Sequence, residues 1–283
     1  MANQVRQIAE SCGSEAVKAL KARQKATWED GDYARFAKYM EEGAIDIVSN
    51  WQLTPGQRLL DVACGSGQSA LPAARLGLKV TGIDIAHNLI DGANQRARDE
   101  GLDARFDQGD AESLPFEDAS FDTLISMIGA MFAPRPDRVA SEFARVLRPG
   151  GTLYMCNWTP RSMPAQMFKA VAKRVPPPPG AISPMLWGDE SIVSQRLSEH
   201  FTEVKFRRKL YPRWHFPSSI DELVVLFRTT FGPVKRAFEA VDAAGKQALR
   251  SDLRDIYVAN SRPDGESGIT LQAEYLEVIA TRR

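Results

Sequence analysis

From Arg58 to Met155 the apolar positions switch repeatedly between short solid runs and a helical period. LLDV at 59–62 and LKVTGID at 78–84 have the apolar density of buried strands. QSALPAARLG, Gln68 to Gly77, reads as the first helix of this region. AHNLIDGANQRARDEG places Leu89, Ile90, Ala93 and Ala97 on one helical face and stops at Gly101. PDRVASEFARVL starts at Pro136 and buries Val139, Phe143 and Val146 or Leu147. ARVLRPGGTLYM at 144–155 reads as the end of that helix, a Pro-Gly-Gly turn and a fifth strand. Such alternation predicts an α/β chain with a parallel sheet and right-handed crossovers.

The flanks follow other rules. Residues 15–50 read as helices broken near Gly31, with Trp28, Tyr33, Phe36 and Tyr39 interrupting a polar segment. After Pro160 the strand–helix rhythm is lost. Met163 to Val175 suits a helix, PPPPG at 176–180 a stiff linker, and 218–258 two or three helices punctuated by Gly232-Pro233 and Gly245. EVKFRRKLYPRW at 203–214 reads as a strand, with Val204, Phe206 and Leu210 on one face and Lys205, Arg207 and Lys209 on the other. A charged outer face on an edge strand blocks edge-to-edge pairing. YLEVIATR at 275–282 reads as the last strand.

The candidate chemistry starts where the first strand ends. Gly65 and Gly67 open a tight turn into a helix, which leaves free backbone N–H groups beside a cleft. Asp84 closes the second strand, about 20 residues past the glycines, where a carboxylate can hold ribose hydroxyls. An adenosine-type cofactor is expected. GSGQSA, Gly65 to Ala70, also fits the dinucleotide fingerprint, so an NAD(P)-dependent oxidoreductase is the rival reading. Asp61, just before the turn, would repel a pyrophosphate and suits an ammonium or a sulfonium. Asp110, after a third strand, can accept from an adenine amino group.

Composition narrows the classes. The chain has 283 residues, 36 Lys+Arg against 36 Asp+Glu, and so no net charge, which argues against nucleic acid as a partner. No apolar run of about 18 residues predicts a membrane span, and the first 21 residues have no apolar core for a secretory signal. Cys12, Cys64 and Cys156 are too few and scattered for a disulfide frame or a zinc site, so no metal and a reducing, cytoplasmic setting are expected. His87, His200 and His215 are the only histidines. His215 lies in the aromatic stretch YPRWHF and is the candidate general base, facing either the pocket or solvent.

LLDVACGSG, VTGIDIA, GDAESLPFEDASFD and RVLRPGG stand in an order and spacing that resemble the class I S-adenosylmethionine-dependent methyltransferases, in particular the ubiquinone/menaquinone-biosynthesis-like small-molecule branch. The likeness covers residues 58–157; IGAMFAP and NWTP are similar to a bacterial subgroup of mostly unassigned substrates. It implies a Rossmann-like fold: a seven-stranded, mostly parallel sheet whose antiparallel last strand inserts between its two predecessors, plus a helical cap. It divides the chain into a lid at 1–50, a cofactor core at 51–160, a cap at 161–270 with one core strand near 203–211, and the final strand at 271–283.

The implied donor is S-adenosylmethionine and the implied partner a small apolar or aromatic acceptor. Asp61, Gly65 and Gly67 would hold the methionine end, Asp84 the ribose, and Asp110 and Ala111 the adenine, with Ala63, Ile85 and Met127 also at the cofactor. Trp28 or Tyr33 would face the sulfonium from the lid. Ile128, Met131, Phe132 and Trp158, just past the fourth and fifth strands, would face the reacting methyl. A non-catalytic regulator that only binds the cofactor is the third reading.

Overall fold

The computed structural model describes residues 2–178, 181–265 and 268–283, with side chains from Glu15 onward. Pro179 and Gly180, the end of the expected stiff linker, and the Cys12 side chain lie outside the described residues.

The main sheet contains β1 (Arg58–Val62), β2 (Lys79–Asp84), β3 (Ala104–Gln108), β4 (Phe121–Met127), β5 (Leu147–Trp158), β6 (Phe201–Leu210) and β10 (Glu274–Arg282). Their order is β3-β2-β1-β4-β5-β10-β6. The first five strands run parallel, and β10 is antiparallel to both its neighbours. This is the Rossmann-like arrangement that the resemblance implies, with β10 inserted between β5 and β6. Helices α4 (Ala70–Arg75), α5 (His87–Asp99), α6 (Pro136–Val146) and α8 (Glu190–Leu197) cover the sheet. Apolar faces drive this: α5 buries Leu89, Ile90, Ala93 and Ala97, and α6 buries Val139, Phe143 and Val146.

Two strand details differ from the pattern reading. The Pro-Gly-Gly stretch is no free turn. β5 already pairs at Leu147 with Phe121, then bulges until Thr152 meets Thr123. Gly150 takes φ +74°, and a Cβ on Gly151 would press Arg148 O and Asp122 O at 2.9 and 3.0 Å. β6 ends at Leu210, which is 55% exposed rather than on the buried face. Its ladder slips opposite Ile279–Thr281, where Glu203 sits at φ +50°. The basic residues of this edge strand also have an inward task. Lys209 Nζ lies 2.9 Å from Glu277 Oε2, a carboxylate only 2% exposed, and Trp51 Nε1 donates to Glu277 Oε1 at 3.2 Å. A buried carboxylate needs such partners.

The flanking elements form a roof over the carboxyl edge of the sheet. α1 (Ala2–Trp28), α2 (Tyr33–Ala37) and α3 (Glu41–Ser49) come from the N-terminus. α7 (Met163–Ala172), α9 (Ile220–Thr230), α10 (Gly232–Glu239) and α11 (Ala243–Ala259) form the cap. A small antiparallel sheet accompanies them: β7 (His215–Phe216), β8 (Ser261–Asp264) and β9 (Gly268–Leu271), in the order β7-β9-β8. These strands of two to four residues are too short to leave a period in the sequence. Among the described residues no helix is long and apolar enough to cross a membrane, and no group of three His, Cys, Asp or Glu is placed to hold a metal ion.

The roof is pinned where α1 meets α10. Asp30 pairs with Lys235 and accepts from Arg236 Nε at 3.0 Å. Asp32 N donates to Thr230 O at 3.2 Å, and Gly31 turns the chain at φ +93°. A Cβ on Gly232 would stand 1.9 Å from Thr27 O, so the two backbones touch directly. Glycine-to-alanine exchange in a helix ordinarily stabilises by about 0.5–1 kcal/mol. Here the added methyl has no room, so Gly232→Ala should have the opposite sign. Trypsin should cut after Arg23 or Lys25 faster than in the parent, with a lower melting temperature; equal cutting would mean the contact is not constraining.

Candidate functional site

The site is assembled at the ends of β1, β2 and β4. Past β1 the chain enters the left-handed region at Ala63 (φ +58°), Gly65 (φ +55°) and Gly67 (φ +87°). Around Gly65 only the Gln68 amide, at 3.4 Å, and the Tyr33 ring, at 3.7 Å, come near an added Cβ, so this backbone is open to a ligand. Asp84 holds the turn: its Oδ2 accepts from Gly65 N at 2.9 Å and its Oδ1 from Ala86 N at 2.8 Å. Past β4, Ile128 adopts φ +55°, unusual for a β-branched residue, and donates its N–H to Cys156 O at 2.8 Å. Gly129 then passes so close that a Cβ would lie 2.3 Å from Ala63 O. The two strained turns therefore brace each other, and strain of about 1–3 kcal/mol per residue persists where a site needs it.

Between these turns and the roof lies a cleft with about 1020 Å³ of space, part of it open to solvent. Of the residues expected at the cofactor, Ala63, Gly65, Asp84, Ile85, Asp110, Ala111 and Met127 line it, as do Trp28 and Tyr33 from the roof. Ile128 and Phe132, expected on the acceptor side, line it too. Four others do not. Asp61 is fully buried behind the wall, Gly67 packs against Leu71, and Met131 is turned into the core at 1% exposure. Trp158 belongs instead to a second chamber of about 370 Å³.

His215 is the clearest departure. It lines neither cavity and sits half-exposed on β7, with Nδ1 2.6 Å from Thr270 Oγ1 and 2.6 Å from Asp264 Oδ2. Strand alternation explains this: Trp214 and Phe216 point inward and are buried, so the residue between them points out. The position offers no base to a substrate in the cleft.

Other wall residues left little trace in the sequence. Lys21 reaches from α1 to Asp110 Oδ2 at 2.5 Å and Glu112 Oε2 at 2.6 Å. Glu112 is fully buried and also accepts from Arg135 N and Nε at 2.6 and 2.7 Å. Gln24 Nε2 donates to Phe132 O at 2.6 Å, and Glu29 Oε1 accepts from His87 N at 3.0 Å. So α1 meets the cleft wall at Lys21 and Gln24, and Glu29, just past its end, ties it to the start of α5. In a helix rich in Lys, Arg and Gln nothing local marks Lys21 or Gln24 as inward-facing.

The electrostatics of the cleft are one-sided. Burial raises the Asp61 carboxyl to about 7, and the Asp84 charge pushes the same way against the Ser69 hydroxyl, which donates to Asp61 Oδ2 at 2.6 Å. Asp61 Oδ1 is buried without a partner. Burial also raises Asp84, against the three backbone N–H groups that favour its charge. The Tyr33 phenol is held protonated by burial and by Asp84. Among the described residues neither Asp61 nor Asp84 has a cationic partner. The cleft is therefore negative at its floor, which favours a positively charged ligand and disfavours a pyrophosphate.

Residues 60–155 match the family model described as a methyltransferase domain. The chain is 33% identical over 267 residues to the uncharacterized protein Rv1405c of Mycobacterium tuberculosis, covering 93% of this chain and 96% of the relative. It belongs to that protein's family, and it is a methyltransferase. A shorter stretch of 110 residues is 40% identical to the methyltransferase GfsG of Streptomyces halstedii, 38% of this chain and 40% of that one. Among solved structures, phosphoethanolamine N-methyltransferase 2 of Haemonchus contortus, in complex with phosphomonomethylethanolamine and S-adenosylhomocysteine, is similar in fold at a TM-score of 0.55 and 20% identity, covering 85% of this chain and 52% of that one.

Asp61 makes the electrostatic reading measurable. An unfolded aspartate ionises near pH 3.9, roughly; in the folded methyltransferase Asp61 ionises at about 7. The folded state thus keeps a proton that the unfolded chain has lost. Its contribution is present below the unfolded value and disappears as pH rises toward 7, by up to about 1.4 kcal/mol per pH unit. Urea unfolding at pH 5, 6, 7 and 8 should show the parent losing stability across this range more steeply than Asp61→Asn, which keeps the bond from Ser69. Parallel pH curves would show that Asp61 is already ionised in the empty cleft.

Proposed function

We propose that the methyltransferase passes a methyl group from S-adenosylmethionine to a small, apolar acceptor by direct displacement, and that the 1020 Å³ cleft is the donor site. The observation that carries this is the pair of buried carboxylates, Asp61 and Asp84, without a cation between them, one with an unpaired oxygen. Such a site is completed by a ligand with an ammonium and a sulfonium. It is made worse by the two phosphates of a dinucleotide, which weighs against the oxidoreductase reading despite the Gly65–Ala70 fingerprint. The resident groups fit the donor part by part. Gly65 gives close approach for the methionine end, and Asp61 lies beneath it. Asp84 stands at the ribose position, with its Oδ atoms oriented by Gly65 and Ala86. Asp110 and Ala111 stand at the adenine position.

The donor supplies an activated methyl carbon, so the protein's work is alignment and exclusion of water. Trp28, Tyr33 and Phe132 enclose the far end of the cleft: Trp28 meets Tyr33 edge-on at 5.4 Å and Phe132 at 5.0 Å between ring centres. Aromatic faces beside a sulfonium add about 0.5–2 kcal/mol of cation–π attraction. Lys21, Gln24 and Glu29 act as three clasps that hold α1 as a lid over the bound donor. With His215 outside both cavities, no base role is assigned to it. When bound, the donor would supply a methyl carbon activated by the positive sulfur, and Asp61 and Asp84 would favour that cation over the neutral thioether product.

Calorimetry decides between the readings. S-adenosylhomocysteine should bind, NADH should not, and Asp84→Ala should weaken the homocysteine ligand about 10- to 100-fold through loss of charge-assisted hydrogen bonds of about 1.5–3 kcal/mol. Binding of NADH alone would overturn the proposal. Multiple turnovers with a labelled methyl donor and an acceptor panel then separate an enzyme from a protein that only binds its cofactor.

A further inference from the structure

The second chamber carries information about the acceptor, on the reading that the larger cleft holds the donor. It shares Trp28, Tyr33, Met40, Ile128 and Phe132 with that cleft, so the two spaces meet at the turn after β4. Its remaining wall comes from the core and the cap, with Trp158, Phe168, Trp214, Phe227 and Phe231 prominent. No Asp, Glu, Lys, Arg or His lines it. The one ionisable wall group, the Tyr33 phenol, is kept neutral by burial. Trp158 and Trp214 lie face to face, 5.5 Å between ring centres and 8° between planes, and both are buried. Trp214 Nε1 is buried with no hydrogen-bond partner among the described residues.

We propose that this chamber is the acceptor's binding site and that it takes the body of a flat, uncharged ring compound bearing a hydrogen-bond-accepting oxygen. The indole and phenyl rings of an uncharged wall favour an aromatic body. A charged group would have to shed its water with nothing in the wall to replace it. The unpaired Trp214 N–H is a donor that an oxygen on the ring can satisfy, which removes the cost of leaving it alone. The reacting atom then projects past Ile128 toward the donor. Nothing in the chamber can serve as a base, so the specificity of the enzyme lies in shape and desolvation.

The test uses three probes of one ring size: 2-naphthol, naphthalene and 2-naphthoate. Calorimetry is run on the full chain, with and without S-adenosylhomocysteine. 2-Naphthol should bind, naphthalene should bind about 2- to 10-fold more weakly for want of the oxygen, and 2-naphthoate should bind more weakly than either. Phe168 is half-buried on α7 and touches both Phe132 and Phe231, with ring centres 5.8 and 6.2 Å away. Phe168→Glu should abolish 2-naphthol binding and leave affinity for S-adenosylhomocysteine within a few-fold; Phe168→Leu should retain both. 2-Naphthoate binding as tightly as 2-naphthol, or 2-naphthol indifferent to Phe168→Glu, would overturn the proposal. Loss of S-adenosylhomocysteine binding in the parent would instead count against the donor cleft, since the naphthol measurement without it still reports on the chamber.

Discussion

The bond from Gly65 N to Asp84 Oδ2, 2.9 Å long, is the point on which the site depends. It joins the turn after β1 to the end of β2, so one carboxylate fixes the loop that must approach the donor. The same carboxylate is buried, and that burial makes its charge and that of Asp61 count. In water a pair of aspartates would be screened; buried, with Asp84 in the cleft wall and Asp61 behind it, they bias the cleft toward a cation. The backbone follows from this arrangement: Ala63 and Ile128 are held in the left-handed region because the two turns must pack against each other through Gly129.

How much of this was legible depends on how local each feature is. The core strands and α5 and α6 were readable because their burial is written in single periods, as with Leu89, Ile90, Ala93 and Ala97. Asp84 and Asp110 were readable because their place relative to a glycine turn is itself local. Asp61 was legible as a residue but not as an environment: its depth behind the wall depends on Ser69 and on the packing of α4. Lys21 and Gln24 were invisible, because their partners lie 89 and 108 residues away. His215 carried the right chemistry on the wrong face of a two-residue strand, and only the pairing of β7 with β9 decides which face that is.

The basic run of β6 shows the same division. Alternation identified a charged edge, and the strand is an edge. What the pattern hid was Glu277, a buried carboxylate on β10 that draws Lys209 inward. Long-range pairing thus gave a second reason for residues that already had a local one.

Trp28 belongs to the wall of both cavities, and its helix is pressed against the cap at Gly232. On the proposed assignment of the two cavities, donor and acceptor therefore draw on a single structural element for their enclosure. That element is held by its pin to the cap, so a substitution that loosens the pin removes one wall from both cavities at once.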